Sequence, residues 1–84
     1  MPKYLFTQWL GDNPEEIESF VELCSPKTFP KVERNGDYLV FYDEEGLVLP
    51  IQLNNFVAKH ESQNYIVVYG GYAKDKLINY LETL

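Results

Sequence analysis

Two glycines between an aromatic segment and a lysine-bearing one are the residues best placed to do chemistry in this chain. Gly70-Gly71 follows Tyr65-Ile66-Val67-Val68-Tyr69 and precedes Tyr72-Ala73-Lys74-Asp75-Lys76. A helix beginning there has no Ser, Thr, Asp or Asn cap. Its first N–H groups are therefore open to an outside phosphate, with Lys74 and Lys76 nearby. The Gly-Lys-Ser/Thr ending of a P-loop is missing, and paired glycines also make ordinary tight turns. Seven tyrosines, one tryptophan and five phenylalanines exceed what the core of an 84-residue chain requires. Trp9, Tyr42, Tyr65, Tyr69 and Tyr72 are candidates to stack on a base, the tyrosines because they fall near strand ends where pockets form. Arg34 and Lys59 are cations able to neutralise a phosphate. The competing use of the same rings is core packing or a subunit interface.

Other reactive types are scarce. His60 is the only histidine and Cys24 the only cysteine, and both fall on apolar faces of expected helices. A nucleophilic pair needs the two in hydrogen-bond reach with an orienting third group, so packed side chains are the simpler expectation. One His and one Cys fall short of a zinc ligand set. Asp43-Glu44-Glu45 lacks the alternating oxygens of a calcium loop and reads as a solvated turn. Glu15, Glu16, Glu18 and Glu22 suit the outer face and N-terminal end of a helix. No catalytic residue, metal site or cofactor is expected.

These residues need elements to position them. Tyr4 to Leu10 has apolar and aromatic residues on both alternating faces and reads as a central strand. Asn13-Pro14-Glu15-Glu16 is a helix start with an Asn cap, Pro at the first position and a Glu to reach back to the cap amide. Ile17, Phe20, Val21 and Cys24 follow at helical spacing, and Ser25-Pro26 ends the helix. Lys27 to Asn35 reads as a loop. Tyr38–Tyr42 and Leu47–Ile51 form a hairpin around Gly46, with Pro50 at a strand end or sheet edge. Leu53, Phe56, Val57 and His60 suggest a short helix, Tyr65–Tyr69 a strand, and Ala73, Leu77, Tyr80, Leu81 and Leu84 a last helix. The order is β-α-β-β-α-β-α: an α+β chain, a single domain over residues 1–84, with a mostly antiparallel sheet and helices packed on it.

Composition narrows the partners. The formal charge of −6, from 13 acidic and 7 basic residues, opposes attraction to nucleic acid or an anionic membrane surface. No apolar run approaches the ~20 residues of a bilayer span, and the first residues do not resemble a signal peptide. A lone cysteine suits a reducing cytoplasm, here that of a host cell.

Gln8-Trp9-Leu10-Gly11-Asp12-Asn13, the strand beginning Gly36-Asp37-Tyr38, Leu49-Pro50 and the segment Phe56 to Glu61 together resemble a family of small phage and prophage proteins. That family has a Gln-Trp-x-Gly-Asp-Asn start, a Gly-Asp-aromatic strand and a short Phe-containing helix after Tyr-Pro. The likeness covers about residues 1–61; His60 stands where the family has Tyr, and everything after Ser62 extends beyond it. It implies a small phage accessory protein acting on host factors or host defence, and no enzymatic activity. With the aromatic surplus and the glycine turn, it leads to a non-enzymatic homo-oligomer that sequesters a nucleotide-derived immune signal. In that reading Trp9, Tyr42, Tyr69 and Tyr72 serve the base, while Arg34, Lys59, Gly70, Gly71 and Lys74 serve phosphate. The alternative is an acidic protein, possibly a DNA mimic, that uses Glu15, Glu18 and Glu22 against a basic host nuclease or defence effector.

Overall fold

The computed structural model describes residues 3–25 and 29–84, along which lie β1 (Tyr4–Gln8), α1 (Pro14–Cys24), β2 (Lys31–Asn35), β3 (Tyr38–Tyr42), β4 (Val48–Ile51), β5 (Phe56–His60), β6 (Val67–Tyr69) and α2 (Lys74–Glu82). The strands make two three-stranded sheets, ordered β1-β5-β6 and β2-β3-β4. Every pairing is antiparallel, with Phe6 opposite Ala58, Val57 opposite Val68, and Phe41 between Val32 and Leu49. The α+β class read from the sequence is the class of the fold.

Side-chain alternation along β5 explains the layering. Val57 joins Trp9, Ile17, Val21, Leu39, Phe41 and Ile51 in the main core, so one face of the first sheet meets α1 and the second sheet. Phe56 and Ala58 point the other way and pack with Leu77 and Leu81 of α2. The β1-β5-β6 sheet is therefore a partition between two cores.

Three element readings change. The apolar residues from Leu53 to His60 form β5, not a helix. As the central strand it is covered on both faces, so its near-continuous burial imitates a helical period over a short run. It is entered through a turn in which Asn55 N–H donates to Gln52 O at 3.0 Å and Asn54 takes φ 72°. Lys31 to Asn35, expected within a loop, forms β2, an edge strand whose exposed charges leave only Val32 half-buried. Asn35 pairs with Tyr38, so Gly36-Asp37 is a two-residue hairpin turn; the positive φ of Gly36 alone matches the II′ type. β1 is an edge rather than a central strand, because packing on both faces does not supply a neighbour on both sides. The expected helix end at Pro26 and the loop residues Lys27 and Thr28 lie outside the described residues. No helix is long and apolar enough to cross a membrane among those described.

Candidate functional site

The most concentrated polar-aromatic feature lies where β6 runs into α2. Tyr69 sits 5.7 Å from Tyr72 at 87° and 5.9 Å from Tyr80 at 66°, while Tyr72 and Tyr80 lie 6.3 Å apart at 34°. Two rings tilted to one another thus each meet a third edge-on. Tyr72 and Tyr80 are 41% and 42% exposed, which leaves ring surface for a ligand. Burial raises the pKa of the Tyr69 hydroxyl, and the phenols of Tyr80, Tyr72 and Tyr65 raise it further. Tyr69 therefore remains a neutral hydrogen-bond donor through the physiological range.

The glycines that join these tyrosines are needed for two different reasons. A Cβ on Gly70 would lie 3.0 Å from Asn55 Oδ1, a tight contact that obliges the Asn55 side chain to give way. Gly71 has open space around it but φ +78°, a conformation that L residues seldom adopt. Ala73 then caps α2 without a side-chain hydrogen bond. The helix thus begins as the sequence suggests, with first-turn N–H groups that no side chain of its cap satisfies.

The remaining sequence candidates are scattered. Trp9 is fully buried; its Nε1–H donates to Asp37 O at 2.9 Å, and the Arg34 guanidinium lies 5.2 Å from its ring centre. Its ring is core and has no face to offer a base. Arg34 also donates to Gly36 O at 3.3 Å. Alternation from Leu39 and Phe41 sends Tyr42 to the outer face of the second sheet, where its hydroxyl donates to Glu33 at 3.3 Å. Lys59 lies on the Val57 side of β5 and donates to Gln63 O at 3.0 Å. The partition sheet therefore separates Arg34 and Lys59 from Tyr69, which packs with Phe56 on the α2 side. Lys74 borders a groove of about 300 Å³ with Phe6, Gln8, Asn13, Glu16 and Phe56. Of the expected site residues, Tyr69, Gly70, Gly71 and Tyr72 come together. Tyr80 completes the cluster and was missing from the expectation. Its signal was a place on the apolar face of the last helix beside Leu81.

Cys24 and His60 do not form a pair. Burial raises the Cys24 thiol pKa, and the ammonium of Lys59 partly opposes that rise. His60 alternates with Phe56 and Ala58 toward α2 and is 2% exposed. His60 Nδ1 lies 2.6 Å from Ser62 Oγ and accepts from Ser62 N–H at 3.0 Å, while the buried Nε2 has no partner among the described residues. No three His, Cys, Asp or Glu side chains among the described residues converge on a metal position.

A second concave surface lies between α1 and the second sheet. It encloses about 550 Å³, with Phe29, Val32 and Phe41 along its floor and Glu18, Glu22 and the exposed Leu23 at its rim. No family model, curated protein or solved structure matches this chain.

Proposed function

We propose that this chain is a non-enzymatic, phage-type accessory protein that counters host defence by binding and sequestering a nucleotide-derived immune signal. The observation that carries the reading is the Tyr69/Tyr72/Tyr80 cluster flanking Gly70-Gly71 at the start of α2, which has no side-chain capping bond. Aromatic faces take a base, and backbone N–H groups beside them take phosphate. Melting temperatures across cyclic dinucleotides and cyclic ADP-ribose isomers test it. A ligand at a hundred times its Kd stabilises the native state by about 2.7 kcal/mol, a rise on the order of 10 °C for a domain this small. Tyr72→Ala and Tyr80→Ala, both partly exposed, are expected to leave the fold intact while weakening binding by about 1–3 kcal/mol per lost stack. Unchanged melting across the whole panel sinks the reading.

The groove beside α1 favours a second reading: an acidic inhibitor that docks a basic segment of a host nuclease or defence effector. Its support is the juxtaposition of an apolar floor with Glu18 and Glu22, which pairs a hydrophobic anchor site with long-range attraction for a cationic partner.

A further inference from the structure

The two sheets have four edges, and three of them carry a feature that discourages pairing. β2 presents Lys31, Glu33 and Arg34, with Lys31 and Glu33 joined at 2.8 Å. β4 has Pro50 within its four residues. The end of β1 is tied to the start of α1, where Asn13 Nδ2 donates to Gln8 O at 2.8 Å and Leu10 N–H donates to Asn13 Oδ1 at 2.8 Å. Charges, proline and covering side chains are the usual protections of exposed strands. β6 carries no charged residue and no proline. Shortness is its one such feature: it lies within an uncharged run from Ser62 to Ala73, and among the described residues it is the end strand of its sheet, paired with β5 alone.

We propose that β6 pairs antiparallel with β6 of a second copy of this chain, about a two-fold axis at Val68, bringing two Tyr69/Tyr72/Tyr80 clusters together. A second copy fits this edge because antiparallel pairing of identical strands is self-complementary. The uncharged strand also lets two chains of charge −6 approach through a neutral strip. In this register Tyr69 faces the partner copy's Val67, and the two Tyr69 residues become diagonal neighbours about 7–8 Å apart on the α2 side. Both partition sheets then continue as one, with both α2 helices on the same face. The ladder is only a few residues long, so the exposed rings of Tyr65, Tyr72 and Tyr80 supply much of the contact, and the dimer is concentration-dependent. The consequence for ligand rests on the function proposed above: each chain brings one half of a symmetric cleft, suited to a molecule with two bases.

Light scattering during gel filtration over a concentration series reads the assembly, and hydrogen exchange locates it. The expected result is twice the 9.8 kDa chain mass at high concentration, falling on dilution, with Val67–Tyr69 amide protection lost in step. Because Val68 also packs on the main core, Tyr65→Lys, at a site 58% exposed, is the variant that spares the fold; it is expected to lose the dimer with unchanged circular dichroism. A monomer at every concentration overturns the pairing, as does a dimer that survives Tyr65→Lys with β6 amides unprotected. A β6-paired dimer whose melting no nucleotide shifts supports the pairing and removes the ligand reading. A monomer stabilised by a nucleotide does the reverse.

Discussion

Asn13 and Glu16 have the spacing of a helix cap, but the structure employs them to fasten the helix to a strand. Asn13 makes no side-chain bond to a backbone N–H of the helix it precedes; its Nδ2 donates to Gln8 O and to Glu16 Oε2, and Thr7 Oγ1 donates to Glu16 Oε1 at 2.9 Å. The two side chains thus satisfy groups on β1 that the helix itself could not reach. The Asn13 bond, then the Thr7 bond, hold the Glu16 carboxyl below its ordinary pKa. A lowered folded-state pKa contributes stability that is fully present above the ordinary carboxylate value and is lost as pH falls through the lowered one. Urea unfolding of the wild type and Glu16→Gln at successive pH values is expected to show a stability gap above the carboxylate range that closes as the medium is acidified through it. Parallel curves at all pH values mean that the carboxylate does not fasten α1 to β1.

At the scale of elements, legibility in the sequence follows from how much of an element's environment is local. α1, α2 and the β3–β4 hairpin were readable because a helical apolar stripe or a turn residue identifies each without reference to distant chain. In the hairpin, Asp43 Oδ1 accepts from both Glu45 N–H and Leu47 N–H at 2.9 and 2.8 Å, a purely local closure of the acidic turn. β5 was misread because its covering on two faces comes from chain far from it in sequence. β2 was missed for the opposite reason: an edge strand with charged residues has little apolar signal, although Gly36-Asp37 has the Gly-first order of a II′ hairpin turn. The site was half legible for the same reasons. Tyr69 to Tyr72 are neighbours in sequence, whereas the faces to which Trp9, Arg34, Tyr42 and Lys59 point depended on the strand assignments around them. The β2–β3 turn makes its own prediction. An added Cβ at Gly36 meets nothing within 4 Å, yet φ is +62°, so Gly36→Ala is expected to cost about 1–3 kcal/mol through backbone conformation alone. Chemical denaturation reads that loss, and a neutral result would mean that the turn relaxes to another type.

The whole molecule presents two unlike sides, divided by the β1-β5-β6 sheet. On the α2 side lie the Tyr69/Tyr72/Tyr80 cluster, Gly70-Gly71 and the uncharged β6 edge; on the other lies the groove whose rim carries Glu18, Glu22 and exposed Leu23. The partition lets one side be altered without disturbing the other, since changes without shared contacts usually act independently. Charge reversal at Glu18 and Glu22, both exposed on α1 and outside the groove that Lys74 shares with Asn13 and Glu16, is therefore expected to leave any nucleotide-induced melting shift intact. If the groove docks a basic host protein, the same change slows association and flattens its dependence on salt, because rim charges act mainly through steering. Stopped-flow association with a basic nuclease at several salt concentrations, run beside melting with the nucleotide panel, separates the two sides. Loss of the melting shift on charge reversal would mean that the sheet transmits rather than divides, and that the acidic groove and the tyrosine cluster belong to one coupled site.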